Sequence, residues 1–357
     1  MACRVGVTSA NATTKGIAPV LPWLPRGRDG AVTATVAART GRTMRIGVAV
    51  DGKKRRFFSG FEAAAALRGH GCVMLDIDEP LEAQVRTAFG DHHHLDCVVV
   101  KVRSDAAAVS RISQYLDSHP DTVPVESFEA ISRIANRGTM LHVFREFDGY
   151  RVGDEVLRVP KSILVSPHAD DAEAHESWSC LRFPVVLKPL VASSHDLYMA
   201  LDPRAVKTYA SSVSAPFLAE AYYDHDGHVF KVYVVGDHIS VVQRRSCTWS
   251  AASGGPNDSL RRINRGDPIG ARGDDAVRGP AMPPSMAFLE HMIPILRKRT
   301  GLDLLGVDFI RATSTDGVDR GELLVIDVNY FPGYDGVKDV ENRLLDLLEM
   351  RVSRQRA

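Results

Sequence analysis

The chain has 357 residues, 45% of them hydrophobic and 25% charged, which is ordinary globular composition and enough length for two or three packed subdomains. No apolar run reaches the ~20 residues that a membrane-spanning helix needs. Basic and acidic residues balance at 44 each, but residues 1–43 hold six Lys/Arg against Asp29 alone, so the remainder is acidic by five charges and lacks the basic body of a nucleic-acid binder.

Residues 1–43 are rich in Ala, Thr, Arg and Gly and show no strong periodicity. They read as an organelle transit peptide or a disordered extension. From Met44 a regular pattern begins. Ile46 to Val50, Cys72 to Ile77 and Leu95 to Val102 read as buried strands, with helices over Phe61 to Arg68 and Asp105 to Leu116. That alternation implies a parallel, Rossmann-like α/β layer. The first turn, Asp51 to Arg56, is not G-x-G-x-x-G, so a dinucleotide site there has little support. His92-His93-His94 reads as a solvated turn. The five cysteines are widely spaced with no C-x-x-C, which points to a reducing compartment rather than disulfides or structural zinc.

Phe128 to Phe147 reads as one helix carrying Arg137, and the polar, turn-rich Asp148 to Pro160 as a boundary. Phe183 to Pro189 is a short buried strand ending in Lys188. Val229 to Gln243 is a hairpin about Gly236-Asp237, pairing Val235 with His238, Val234 with Ile239 and Tyr233 with Ser240. Its faces separate Phe230, Val232, Val234, Ile239 and Val241 from Lys231, Tyr233, His238 and Ser240; the first set packs and the second can line a site. Residues 251–285 read as a mobile loop or insertion. A helix over Phe288 to Arg299, strands over Leu304 to Arg311 and Leu323 to Val328, and a helix over Leu344 to Val352 complete the chain.

The strongest chemical signal is the run Leu323 to Tyr334. Asp327 and Asn329 are two apart on a buried strand, so they leave the same face. Two oxygen donors on one rigid face suit a hard cation such as Mg²⁺. Asp308, between apolar neighbours on a second strand, is costly to bury unless it is paired or metal-bound. Alone it reads as a capping or ion-paired acid; with Asp327 and Asn329 it reads as a third metal ligand. Lys188 can reach a phosphate as a point charge, or else solubilise a strand edge. Arg137 and His195, each alone, read as solvated surface residues. Phe217 to Tyr223 runs into Asp224 to Gly227, a connector that could hold an adenine.

Together these blocks resemble the inositol 1,3,4-trisphosphate 5/6-kinase / inositol-tetrakisphosphate 1-kinase family, in a plant-like form. The segment Ile326-Asp327-Val328-Asn329-Tyr330-Phe331-Pro332-Gly333-Tyr334 is similar to the family's I-D-x-N-x-F-P-G-Y. The segments Phe230 to Gly236, Gln243 to Ser246, Phe183 to Ala192 and Asn136 to Leu141 match in order and spacing. The resemblance implies an α/β (α+β) ATP-grasp fold. Its subdomains would span 44–125, 126–235 and 236–357, after the extension 1–43. It also implies transfer of the ATP γ-phosphoryl to inositol 1,3,4-trisphosphate (5- or 6-hydroxyl) or inositol 3,4,5,6-tetrakisphosphate (1-hydroxyl), with Mg²⁺, two ions being expected. By resemblance the metal ligands are Asp308, Asp327 and Asn329. ATP meets Arg137, Lys188, Glu220, Ala221, Tyr222, Tyr223, Asp224, Lys231 and Ser246. The inositol phosphate meets Lys53, Lys54, His195, Lys231, Asn329 and Gly333. Lys188, His195 and Lys231 are the expected catalytic residues.

The chain departs from the family at Ala135, where a His is usual, and in the run Val191-Ala192-Ser193-Ser194-His195, which shortens a Gly-containing loop. The alternatives are another ATP-grasp ligase, or a relative that binds inositol phosphate with weak turnover. Lys53 to Arg56 reads as a pocket rim, or alternatively as a nuclear-import patch. The expected partners are the two small-molecule substrates, with no nucleic acid and no membrane. The protein is expected to be a monomer in the cytoplasm, or in the chloroplast if residues 1–43 are a transit peptide.

Overall fold

A computed structural model describes residues 43–50, 55–91, 94–101, 106–167, 181–191, 196–246, 259–263, 282–313 and 321–357. The first unit is a four-stranded parallel sheet in the order β2-β1-β3-β4. Its strands are β1 (Arg45–Val50), β2 (Gly71–Leu75), β3 (Cys97–Lys101) and β4 (Val123–Pro124), linked by α1 (Arg55–Leu67), α2 (Leu81–Phe89) and α3 (Ala106–Ser118). Ile46, Val48 and Ala49 are each 0% exposed, so β1 is covered on both faces, as a central parallel strand must be. Helix α2 has no counterpart among the expected elements.

The helix expected over Phe128 to Phe147 is two helices, α4 (Phe128–Ala135) and α5 (Arg137–Arg145). Asn136 between them is extended, and its side chain caps α5 by accepting from Gly138 N at 2.7 Å. The stretch Asp148 to Pro160 contains a hairpin of β5 (Tyr150–Val152) and β6 (Glu155–Arg158), turning at Gly153 with φ 57°. Strand β6 then pairs parallel with β15 (Leu323–Tyr330).

A five-stranded sheet, β13-β9-β8-β10-β7, is built from β7 (Ser162–Val165), β8 (Val185–Pro189), β9 (Leu197–Ala200), β10 (Phe217–Ala221) and β13 (Leu260–Ile263). Helix α6 (Pro203–Ser212) packs on it, capped by Asp202, whose side chain accepts from Ala205 N. The insertion expected over 251–285 thus contributes an edge strand, β13, and Ser285 caps the helix that follows. Residues 251–258 and 264–281 lie outside the described residues.

The six-stranded sheet runs β12-β11-β14-β15-β6-β5. Its long strands are β11 (His228–Val235), β12 (His238–Arg245), β14 (Leu304–Arg311) and β15. The hairpin β11–β12 has the expected register, Val235 with His238 through Tyr233 with Ser240. A subdomain division between 235 and 236 would therefore pass through the turn of this hairpin.

Helix α7 (Met286–Thr300) covers one face of this sheet, sharing a core with Phe230, Val232, Val234 and the helices α4 and α5. The opposite face is the one that can line a site. On it, Tyr233 and Val235 join a core with β1, α1 and the last helix, α8 (Val340–Gln355). Only the Lys231 end of that face is left for chemistry, because the N-terminal unit sits on the remainder.

Candidate functional site

The register of three strands sets Lys231 opposite Asp308, and Asp308 opposite Asp327. Cross-strand partners share a face, so one row of charge crosses the sheet. The Lys231 ammonium donates to Asp308 Oδ2. One pleat along β15, Asn329 donates from Nδ2 to Asp327 Oδ2 at 3.3 Å, which puts both side chains on the same face. Arg137 Nε stands 3.8 Å from Asp327 Oδ1.

A β-bulge follows Asp308. The ladder steps from Asp308–Asp327 to Phe309–Val325, leaving Ile326 without a partner across the sheet. The Ile326 carbonyl accepts from Lys188 Nζ at 2.9 Å, and the same ammonium donates to Glu220 Oε1 at 2.5 Å. The bulge therefore fixes the end of β8 against the strand that carries Asp327. Glu220 sits opposite Val186 on β10, and its carboxylate turns into the site rather than toward the connector that follows.

Burial is the main influence on the acids of this cluster. It pushes the carboxyl of Asp308 up, against the pull of Lys231. It does the same to Glu220, where Lys188 opposes it. Three cations, Lys188, Lys231 and Arg137, meet three anions, Glu220, Asp308 and Asp327. A polyanionic substrate meets no surplus positive charge from these six groups.

The turn after β15 closes the site. Pro332 folds over Gly306, where an added Cβ would lie 3.0 Å from the Pro332 ring and press against it. Phe331 and Tyr334 hold positive φ at 38° and 52°. Both aromatic rings are buried, and Phe331 packs edge-on against Phe58 of α1 at 5.7 Å. The Tyr334 hydroxyl donates to Val234 O at 3.0 Å, and the Tyr330 hydroxyl donates to Val100 O. Lys101, at the end of β3, donates to Pro332 O at 2.8 Å and lies 4.3 Å over the Phe331 ring. Gly333 follows directly, so the N-terminal unit holds the turn at the site's edge.

Of the residues singled out from the sequence, the structure brings together Arg137, Lys188, Glu220, Lys231, Asp308, Asp327 and Asn329, with Gly333 at the rim. Arg137 is 3% exposed, not solvated, and donates from one guanidinium nitrogen to Pro189 O at 2.6 Å and Val191 O at 3.1 Å. In the connector, the N–H groups of Ala221 and Tyr222 donate to Lys161 O and Pro184 O. Tyr223 is buried, and its carbonyl faces His225 Nδ1 at 2.9 Å. The Asp224 carbonyl accepts from Thr313 N, and Ser246 N donates to Gly227 O. Lys53, Lys54 and His195 lie outside the described residues. Sequence reasoning missed Lys101 and the Ile326 carbonyl. Lys101 ends a buried apolar run as Lys188 does, a signal that was available; the carbonyl depends on the bulge and had none.

Asp327 Oδ1 is buried and accepts no hydrogen bond. An orphaned carboxylate oxygen beside Asp308 and Asn329 fits a hard divalent cation, which takes oxygen ligands and keeps several waters. Among the described residues no group of three or more His, Cys, Asp or Glu is placed so that it could hold a metal ion by itself. No described helix is long and apolar enough to cross a membrane.

Residues 152–350 match the family described as "Inositol 1,3,4-trisphosphate 5/6-kinase ATP-grasp domain". Similar proteins include "Inositol-tetrakisphosphate 1-kinase 2" of Glycine max, 30% identical, covering 86% of this chain and 95% of that protein. "Inositol-tetrakisphosphate 1-kinase 3" of Oryza sativa subsp. indica is 31% identical, covering 89% and 86%. Among solved structures, the D-alanine–D-alanine ligase of Bacillus anthracis is 14% identical with a TM-score of 0.56, covering 88% of this chain and 99% of that one. The ATP-grasp ligase PsnB is 14% identical with a TM-score of 0.55, covering 87% and 100%. At that identity the ligases speak for the ATP-grasp fold alone.

Proposed function

The chain belongs to the inositol 1,3,4-trisphosphate 5/6-kinase family, and from that premise we propose that it transfers the γ-phosphoryl of ATP to inositol 1,3,4-trisphosphate or inositol 3,4,5,6-tetrakisphosphate, with Mg²⁺. The family makes it an ATP-dependent inositol phosphate kinase of ATP-grasp fold. The observation that carries the finer reading is the row Lys231–Asp308–Asp327, closed by Lys188 and Arg137 on one side and by the Pro332–Gly333 turn on the other.

Phosphoryl transfer asks a protein for positioning and charge stabilisation rather than covalent chemistry. Asp308, Asp327 and Asn329 would hold the metal, which supplies charge neutralisation to the phosphates. Lys188, fixed by the Ile326 carbonyl and Glu220, presents its charge to the nucleotide. Arg137 fixes the strand end at Pro189 and Val191, from which the chain runs on toward His195. Lys231 lies between nucleotide and acceptor, and its bond to Asp308 keeps it in line with the metal ligands. Lys53, Lys54, His195, Asn329 and Gly333 complete the acceptor side, with Lys101 holding the turn that bears Gly333. The connector Ala221 to Asp224, with Ser246, takes the adenine side.

The test is a panel of purified inositol phosphates with ATP, with and without Mg²⁺, and products resolved by position. The expected result is Mg²⁺-dependent phosphorylation of at least one of the two named isomers. ATP hydrolysis that depends on an amine, with no phosphorylated inositol, would overturn the reading.

A further inference from the structure

Glu220 is the one acid of the cluster that the metal reading does not use. It is 5% exposed, lies at the last ladder positions of β10, and spends its carboxylate on Lys188 at 2.5 Å. The Lys188 ammonium has three N–H groups. One goes to Glu220 and one to the Ile326 carbonyl, so its remaining N–H has a single direction in which to meet a ligand. The two acceptors come from different sheets, β10 and β15, and together they aim the lysine. The cost of this arrangement is electrostatic. A buried carboxylate beside the phosphate-binding lysine offsets the charge that lysine offers a polyanion, and it repels the polyanion directly. A neutral amide of the same shape still accepts from the lysine, more weakly, and carries no negative charge.

We propose that Glu220 is a positioning residue that aims Lys188 at the terminal phosphates of the nucleotide and offsets its charge, so that it limits nucleotide affinity and hastens release of ADP. This rests on the reading of Lys188 as a phosphate contact. It assigns the Glu220 side chain to the lysine rather than to the adenine.

The test compares Glu220→Gln, Glu220→Ala, Lys188→Ala and the double variant Lys188→Ala/Glu220→Gln in the full chain, each checked by thermal melting. ATP and ADP affinity are measured by calorimetry, and ADP release and kcat by stopped-flow and steady-state turnover. Glu220→Gln is expected to tighten both nucleotides by about tenfold, the scale of one charge-assisted hydrogen bond no longer shared. ADP release slows and kcat falls, while the acceptor KM is unchanged. Glu220→Ala loses the aim as well as the charge, so its kcat falls further and its affinity gain is smaller. In the Lys188→Ala background, Glu220→Gln produces a much smaller gain, because the shared lysine is gone. If Glu220→Gln does not fold, Glu220→Asp draws the carboxylate back by one methylene, and a smaller tightening of the same sign is expected.

If Lys188→Ala weakens ATP but Glu220→Gln does not tighten it, the proposal fails and the reading of Lys188 stands. If Lys188→Ala leaves ATP affinity unchanged, the reading of Lys188 fails and the proposal with it. A change in preference between ATP and GTP with constant ATP affinity would place Glu220 at the base and overturn the proposal.

Discussion

Asp327 concentrates the site's demands in one side chain. One oxygen accepts from Asn329, while the other is buried, accepts no hydrogen bond and faces Arg137 at 3.8 Å. Replacing it with Ala removes a metal ligand and leaves Asp308 with its Lys231 partner intact. Asp327→Ala is expected to abolish transfer across a Mg²⁺ titration while the melting temperature stays near that of the parent, since no hydrogen bond that holds the fold is lost. Turnover at the parent rate would remove Asp327 from the metal set. At this scale the sequence was informative about Asp327 and Asn329, because alternation along one strand places residues two apart on one face. It was silent on Glu220 facing Lys188, since that contact joins β8 to β10, 32 residues apart.

Among the elements, the break at Asn136 shows how a cap defeats periodicity. Apolar spacing continues through Ile134, Met140, Leu141 and Phe144, so one helix is the natural reading. Tertiary bonds decide otherwise: Asn136 bridges to Val191, and Arg137 N donates to Leu190 O at 2.7 Å. The start of α5 is thereby tied to the chain leaving β8. Asn136→Ala loses the bond to Gly138 N, and a missing N-cap costs roughly 0.5–2 kcal/mol. The expected outcome is a lower melting temperature together with a raised KM for ATP, because α5 positions Arg137. A melting temperature equal to the parent's would show that the cap carries no weight. The hairpin β5–β6 escaped notice for a related reason. Its strands are three and four residues long, too short for alternation to register, and β6 takes its place in the sheet through a pairing with β15 far along the chain.

For the whole molecule, the N-terminal unit and the six-stranded sheet share a core that joins Ile46, Phe58 and Phe61 to Tyr233, Phe331 and Leu344. Glu126 sits in this junction, 2% exposed, with one oxygen accepting from Asp303 N at 2.6 Å and Leu304 N at 2.7 Å. Burial pushes its carboxyl up to about 8, aided by Asp303 and opposed by the two N–H groups and Arg351. The ordinary value is 4.5, so between about 4.5 and 8 the folded chain keeps a proton that the unfolded chain has lost. Stability therefore falls as pH rises through that window, by at most about 1.4 kcal/mol per pH unit, and this contribution is flat outside it. Glu126→Gln carries no titrating group and keeps an acceptor for both N–H groups. Denaturant melts between pH 5 and 8 are expected to show a shallower slope for the variant than for the parent. Equal slopes would assign the pH dependence elsewhere.

The sequence by itself determined what depends on local spacing: the α/β pattern from Met44, the β11–β12 register about Gly236-Asp237, the shared face of Asp327 and Asn329, and the motif Ile326 to Tyr334 that carries the family. Each follows from residues close together in the chain, where periodicity and turn chemistry act directly. Only the tertiary structure decided the rest. The row Lys231–Asp308–Asp327 needs the order and register of three strands, two of them separated by 77 residues at the Lys231–Asp308 bond. The bulge that turns the Ile326 carbonyl to Lys188, and the reach of Lys101 from β3 to Pro332, likewise join residues 138 and 231 positions apart. Contacts at such separations arise when sheets pair and cores merge, and no window along the chain contains both partners.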